Sequence, residues 1–147
     1  MAGTSSGSMA SNKGAMTRAS NNIKAIATAI GPGAEAGLAV AGKLLVTRIQ
    51  MLISKPYPPA SNPGNPPARR TGNLRSGYKA KVVKGQLSLA VQNDTADYWK
   101  FLEFGTSKMR PRPHVRPSMR AVRDELPKII AKSIEAKQRA VARRLTA

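Results

Sequence analysis

The stretch AEAGLAVAGKLLVTRIQMLI, residues 34–53, carries the clearest structural pattern in the chain. Apolar residues recur there every three or four positions and therefore share one face of a helix: Leu38, Ala41, Leu45, Ile49 and Leu52. Polar side chains lie off that face, which makes residues 34–53 an amphipathic helix. Just upstream, Gly31-Pro32-Gly33 follows a shorter run of helically spaced isoleucines. This Gly-Pro-Gly sequence predicts that the helix stops or bends there.

Downstream of this helix the apolar period changes from helical to alternating. Residues 78–83 and 86–92 read as two strands joined by a tight turn at Lys84-Gly85, and Leu87, Leu89 and Val91 alternate with polar residues. Residues 96–104 return to helical spacing, with Gly105 as a stop. Pro117 is suited to the first turn of a last, long helix, which Pro127 should kink or restart. The order predicts an α+β fold with a small antiparallel hairpin sheet, a short aromatic helix and a long C-terminal helix.

Two segments lack the residues that build a core. Leu, Ile, Val and Phe make up 28 of the 147 residues, and none of them occurs in residues 1–22 or 55–70. We therefore expect a flexible, disordered-like N-terminal arm over residues 1–22 and a single domain over residues 23–147. That domain contains a Pro-rich loop at 55–70, which holds six of the eleven prolines. A body this small buries limited apolar area, which favours oligomerisation.

Charge and composition restrict the classes of partner. The net charge of +18 fits contact with nucleic acid, with another polyanion or with acidic protein subunits, and also a solvated basic surface. Cysteine is absent, which excludes disulfides and thiolate metal sites. The first residues carry no signal-peptide pattern, and charged residues interrupt the longest apolar stretch. We expect a soluble protein made in the cytoplasm, with no membrane partner.

Catalytic chemistry has little support in the sequence. The single histidine, His114, has no cysteine, clustered carboxylate or nucleophile near it in sequence. Asp94, Asp97 and Glu103 form the one compact acidic set, but helical geometry would point Asp97 and Glu103 in different directions. No phosphate-binding glycine loop occurs. We expect no enzymatic activity, no catalytic residue, no cofactor and no metal.

Glu103 stands out because it lies among Trp99, Phe101, Leu102 and Phe104. A carboxylate in such a patch must stay hydrated or find a cation. We consider two alternatives, an ion pair with a basic residue of the same or a neighbouring chain, and a hydrated surface glutamate.

Basic residues are concentrated after residue 107. Residues 108–144 carry 12 basic and 3 acidic side chains, a net +9 that could neutralise DNA phosphates without reading sequence. The residues that could face DNA are Lys108, Arg110, Arg120 and Arg123. With six aromatic residues in mostly apolar context, a base-stacking platform is not expected.

Three segments carry a combined pattern: TGNLRS at 71–76, YWKFLEFGTSKM at 98–109 and RPHVRP at 112–117. In this order they resemble the neck proteins of tailed bacteriophages, which are also called head-to-tail joining or tail completion proteins. His114 stands where that family commonly has an aromatic residue such as Phe. The resemblance extends roughly over residues 34–142.

The resemblance implies a structural virion protein that forms a ring in the neck, a hexamer or a multiple of it, and joins the DNA-filled head to the tail. It implies portal-side head completion proteins and tail tube or tail terminator proteins as partners, and DNA passing through the lumen of the ring. It also implies assembly in the host cytoplasm and a final location at the head–tail junction of the virion. The subunit-interface candidates are Thr71, Gly72, Leu74, Arg75, Trp99, Phe101, Glu103, Phe104, Gly105, Thr106, Arg112, Pro113, Arg116 and Pro117. The alternative is a basic DNA-binding packaging or nucleoid-like protein that contacts the phosphate backbone.

Overall fold

The computed structural model describes residues 6–147, with side chains from residue 14 onward. Six helices and one hairpin make up this part of the chain, and their order confirms the predicted α+β class. The elements are α1 Ser6–Thr28, α2 Ile30–Leu52, α3 Asn73–Ser76, β1 Tyr78–Val83, β2 Ser88–Asn93, α4 Trp99–Phe104, α5 Val115–Val122 and α6 Leu126–Thr146.

Helix α2 is the central element, because the core forms along the face that its apolar period predicted. Ala41, Leu45 and Ile49 are almost completely buried. At the end of the helix the prediction is off by one residue, since Leu52 is exposed and Ile53 is buried in its place. Residues from other elements and from the loop after β2 complete this core, namely Leu74, Tyr78, Ala96 and Val122.

The break before α2 lies earlier than predicted. The sequence placed it at Gly31-Pro32-Gly33, whereas α1 ends at Thr28 and α2 begins at Ile30. Pro32 therefore occupies the first turn of α2, where a missing backbone N–H costs no hydrogen bond.

The glycines of α2 allow α6 to pack unusually close. A Cβ atom placed on Gly33 would lie 2.7 Å from the Cα of Ile134, and one on Gly37 would lie 2.7 Å from the Cα of Ile130. Because both obstructing atoms belong to the α6 backbone, these positions have no room for a side chain. Helix α6 has no fully buried residue of its own, so its attachment depends on this close backbone approach.

The hairpin has the predicted antiparallel pairing, with Tyr78 opposite Asn93 and Val83 opposite Ser88. Its connection is longer than predicted, because β2 begins at Ser88 and residues 84–87 form the turn. Leu87 has a positive φ of 46° and an exposed side chain, so it does not belong to the inward face that Leu89 and Val91 form.

A new helix begins beside Pro127, which is one of the two outcomes predicted there, a kink or a restart. Helix α5 ends at Val122 and α6 begins at Leu126, with Pro127 in its first turn. Pro117 does open a helix, but that helix is the short α5 and not the last one.

Residues 1–5 of the predicted N-terminal arm lie outside the described residues, and residues 6–22 belong to α1. The sequence predicted helical spacing only for the isoleucines at the end of this helix, because Ser, Gly and Asn give residues 6–22 no apolar period. Its side chains at positions 14–21 are exposed, and the flexibility of the arm stays a prediction. By length and composition the helical stretch Gly14–Leu52 could cross a membrane, since one 18-residue window within it has a mean hydropathy of 1.3. A buried core helix passes the same test, and α2 supplies residues of the core.

Backbone hydrogen bonds hold the two ends of the Pro-rich loop together and tie its middle to the segment before α5. The backbone N–H of Tyr57 donates to the carbonyl of Arg69 at 3.1 Å, and the N–H of Arg69 donates to the carbonyl of Lys55 at 2.7 Å. Midway along the loop, the N–H of Gly64 donates to the carbonyl of Pro111 at 2.9 Å. These bonds bring residues 57–72 against α3 and α4, where they line a pocket.

Candidate functional site

Helix α4 and the residue before it turn large apolar side chains toward solvent. Phe101 is 58% exposed and Phe104 is 60% exposed, and these are the two phenylalanines of the chain. Tyr98, which precedes α4, is 48% exposed. We call these three residues the α4 aromatic surface. Exposed apolar side chains gathered on one surface make it a candidate contact site for a protein, a membrane or a ligand.

The opposite side of α4 fixes the helix to the core. Trp99 and Leu102 are half-buried and pack against it. The Trp99 ring meets the Tyr78 ring edge to face, with 6.1 Å between ring centroids. The orientation of Phe101 and Phe104 is thus set by the packing of their neighbours.

Glu103 is buried and caps α5. Its Oε2 accepts hydrogen bonds from the backbone N–H groups of His114 at 2.8 Å and Val115 at 2.9 Å, and its Oε1 accepts one from Arg116 at 2.9 Å. These N–H groups lie at the start of α5, where no helical carbonyl is available to them. A carboxylate also suits the positive end of the helix dipole.

The electrostatics of Glu103 follow from this geometry. Burial raises the pKa of its carboxyl, but the three backbone hydrogen bonds and the nearby His114 outweigh burial and hold the pKa below its usual value. The hydrated surface glutamate is wrong, because Glu103 is buried. The ion-pair alternative holds in part, since Oε2 lies 3.3 Å from His114 Nδ1 and Oε1 lies 4.0 Å from Arg116 Nε within the same chain. Its main partner is a helix N-terminus, which the local sequence does not reveal.

His114 is fully buried and linked to both Glu103 and β1. Its Nδ1 lies 3.1 Å from the carbonyl oxygen of Arg112, which can only accept, so Nδ1 carries the proton. Its Nε2 then accepts from the hydroxyl of Tyr78. Burial lowers the pKa of the His114 ring, against the raising influence of the Arg112 carbonyl and Glu103. Burial also raises the pKa of the Tyr78 phenol far above its ordinary value. The ring is therefore a neutral packing element.

This arrangement predicts that acid destabilises the protein in the range where His114 titrates. The unfolded chain binds a proton at His114 near pH 6.5, while the folded chain binds it only at lower pH. The free energy of unfolding should be at its plateau above pH 6.5 and fall by up to about 1.4 kcal/mol per pH unit below it, down to the folded pKa. Glu103 acts in the same direction below about pH 4.5, because its folded pKa is also lowered. Urea unfolding measured from pH 8 to pH 4 checks this.

The matched variant for that experiment is His114→Phe combined with Tyr78→Phe, which removes the titrating ring together with its hydroxyl partner. Its stability should be flat between pH 8 and pH 5. A slope in that range equal to that of the natural chain would show that another group is responsible.

Arg116 joins the α4 aromatic surface to an apolar groove. Its guanidinium lies over the Phe104 ring, with 4.7 Å between Cζ and the ring centroid, and its side chain also lines the groove. The groove has a volume of about 570 Å³ and lies between α2, β2, α5 and the start of α6. Its apolar lining includes Leu38, Leu89, Val91, Val115, Met119, Leu126 and Ile130. We call the α4 aromatic surface, Arg116 and this groove together the apolar docking surface.

Residues of the TGNLRS motif line a second pocket. Thr71, Gly72, Leu74 and Arg75 line a pocket of about 310 Å³, and Arg112 reaches the same pocket from the segment before α5. Gly72 has a φ of +91°, which a glycine adopts without strain. We call this hollow the arginine pocket, because Arg69 and Arg70 also line it. The sequence did not single out those two arginines, although the Arg69-Arg70 pair beside TGNLRS was visible.

The other interface candidates have varied positions. Leu74 and Glu103 are buried within the subunit and serve its own fold. Gly105 ends α4 with a φ of +77°, and Thr106 closes the following turn by accepting from the N–H of Met109 at 3.1 Å. Pro113 and Pro117 are half-buried next to His114 and in the first turn of α5. Their roles between subunits stay predictions.

The candidate DNA-facing residues are all exposed but come from two places. Lys108 and Arg110 lie in the loop after α4, and Arg120 and Arg123 lie at the end of α5. Arg120 lines the apolar groove. In the described part of the chain, no group of three or more His, Asp or Glu side chains is placed to hold a metal ion.

Comparison with protein families gives one match, over residues 18–105, which is more than half of the chain. The family is described as "Bacteriophage HK97-gp10, putative tail-component". No curated protein and no solved structure matches the chain. The matched range includes the core helix α2, the TGNLRS motif, the hairpin and α4 with its aromatic surface. The chain therefore belongs to the HK97 gp10-like family of phage tail components.

Proposed function

We propose that this phage structural protein is a neck subunit that forms a ring and joins the DNA-filled head to the tail. The observation that carries the proposal is the exposure of both phenylalanines on α4, next to an apolar groove. A soluble protein that exposes its largest apolar side chains in this way gains free energy when another protein covers them.

The layout of the docking surface favours a repeating contact between copies. Protruding rings on α4 and a concave groove are complementary shapes on one subunit. A contact between different surfaces of identical subunits is heterologous, and it closes into a ring when the rotation between neighbours allows. The ring would be a hexamer or a multiple of it, to match the symmetry of a tail.

The ends of such a ring would contact other virion proteins, with portal-side head completion proteins on one side and tail tube or tail terminator proteins on the other. Assembly would take place in the host cytoplasm, before the particle leaves. Lys108, Arg110, Arg120 and Arg123 are exposed and could face DNA in the lumen. Such contacts would be electrostatic and without sequence preference.

The proposal predicts that polar substitutions on α4 weaken assembly without unfolding the subunit. Phe101→Gln combined with Phe104→Gln should raise the dissociation constant between subunits by at least about tenfold, since central aromatic side chains dominate most interfaces. The thermal midpoint of the dilute subunit should change little, because both side chains are exposed. Native mass spectrometry over a concentration series measures the assembly.

The matched control is Met51→Gln, which replaces an exposed apolar side chain on α2 that is 60% exposed. It should leave assembly as it is in the natural chain. A natural chain that stays monomeric at high concentration, or a double α4 variant that assembles like the control, contradicts the proposal. Duplex DNA binding that falls steeply with salt in a chain that never forms rings would instead support the DNA-binding alternative.

A further inference from the structure

The arginine pocket has a charge that nothing within it balances. Four arginines line it, and none of its lining residues is acidic: Arg69, Arg70, Arg75 and Arg112. A neighbouring hollow shares Arg69, Arg70 and Arg75 and also lacks a carboxylate in its lining. Guanidinium groups held in one concave surface repel each other, and the concave shape strengthens their field. An anion placed there would remove this repulsion.

Buried donors in the same pocket have no protein partner. The Nε atoms of Arg75 and Arg112 are inaccessible to solvent and make no hydrogen bond within the described residues, and the same holds for the hydroxyl of Ser61. All three residues line the pocket. An unpaired buried donor costs free energy, and a bound anion is one of the groups that can satisfy it. The guanidinium is also the side chain whose donors match a carboxylate in pairs.

The position of the pocket favours a protein as the source of the anion. Tyr98 lines the pocket and also belongs to the α4 aromatic surface, so the two sites adjoin. Apolar side chains form part of the wall, including Ile53 and Leu102. Duplex DNA carries its phosphates on an outward-facing backbone, which meets protruding side chains more readily than recessed ones. An acidic side chain on a polypeptide segment can enter a hollow of about 310 Å³.

We propose that the arginine pocket is a binding site for side-chain carboxylates of a partner protein in the assembled virion. This inference rests on the proposed assembly function, because it takes the ligand to be a protein that docks beside α4. The proposed source is a second copy of the chain. In the chain itself, Asp124 and Glu125 are exposed neighbours between α5 and α6, with no ion pair in the described part of the chain.

The test measures binding of a short fluorescent glutamate peptide, with both ends blocked, to the full chain by fluorescence anisotropy. Arg75→Lys combined with Arg112→Lys keeps the net charge at +18 but removes both Nε donors and the planar guanidinium. The peptide should bind this variant about tenfold more weakly than the natural chain, as expected when paired charge-assisted hydrogen bonds are lost. Circular dichroism verifies that the variant is folded.

The control is Arg143→Lys combined with Arg144→Lys, two exposed arginines at the end of α6. It has the same charge and the same number of changes, and it should bind the peptide like the natural chain. Equal affinity of the pocket and control variants would show that binding reflects the overall charge alone, and would overturn the site. The pocket variant is also tested with a short DNA duplex. If its affinity for DNA falls more than its affinity for the peptide, the pocket is a phosphate site and the carboxylate proposal is overturned.

A second arm identifies the source. Because a neighbouring copy is the proposed source, Asp124→Asn combined with Glu125→Gln should weaken self-assembly while the variant still binds the free peptide. Assembly equal to that of the natural chain would overturn Asp124 and Glu125 of a second copy as the source. The peptide experiment measures binding at the pocket, whereas the α4 experiment measures self-assembly. A negative result in one therefore leaves the other proposal standing.

Discussion

Replacing Glu103 with alanine is expected to lower the free energy of unfolding by about 3 kcal/mol, the largest loss that we predict for a single side chain. The substitution removes the acceptor of three backbone N–H groups at the start of α5. The His114 donor is buried and the other two are partly buried, so water replaces the carboxylate poorly. A domain of ordinary stability, about 5–15 kcal/mol, would lose a large part of its margin. Urea unfolding at pH 8 measures the change.

Glu103→Gln separates the charge from the shape. The amide keeps one acceptor oxygen but turns an NH₂ group toward a backbone donor, so we expect a loss of about 2 kcal/mol. Glu135→Ala is the control, because its carboxylate is exposed and pairs only with Arg139 one turn later on α6. That control should change stability by about 0.5 kcal/mol or less. Loss of the same size in both alanine variants would rule out the capping role.

Gly37→Ala is expected to lower the free energy of unfolding by about 2 kcal/mol, although alanine is the better helix former. The new Cβ would lie 2.7 Å from the Cα of Ile130, so α2 and α6 would have to separate. Overpacking against a backbone costs up to about 3 kcal/mol, and helix propensity returns up to about 1 kcal/mol. Gly33→Ala meets the backbone of Ile134 in the same way.

The matched control is Gly31→Ala in the first turn of the same helix, where a Cβ has no atom within 4 Å. This variant should be as stable as the natural chain or more stable, by up to about 1 kcal/mol. The two substitutions are chemically identical, so their opposite signs isolate the helix contact. A stabilising Gly37→Ala would contradict the close packing of α2 and α6.

Much of the fold follows from local patterns in the sequence. The apolar period of residues 34–53 predicted the buried face of α2, and Leu89 and Val91 at every second position predicted β2. Proline chemistry predicted a kink or a restart at Pro127, and a new helix begins there. The errors came where a pattern is weak or has two meanings. Serine, glycine and asparagine gave no sign of the first part of α1. Pro32 is as acceptable in the first turn of a helix as in a break between helices.

The sequence indicated which residues belong to the candidate site better than it indicated their orientation and contacts. The sequence identified Phe101, Phe104 and Glu103, but it could not show that the first two face outward and the third caps α5. That cap joins residues eleven to thirteen positions apart, and such distances leave no local period. Arg75 and Arg112 meet in one pocket for the same reason, through tertiary packing that no motif spacing encodes.

The central claim is that neighbouring protein subunits cover the apolar docking surface. A reconstruction of the assembled phage particle, with this chain traced, tests it most directly. We expect a ring of copies at the head–tail junction, in which Phe101 and Phe104 of each copy are buried in contacts with an adjacent subunit. A particle in which the chain is absent, or in which both phenylalanines face solvent, would contradict the claim.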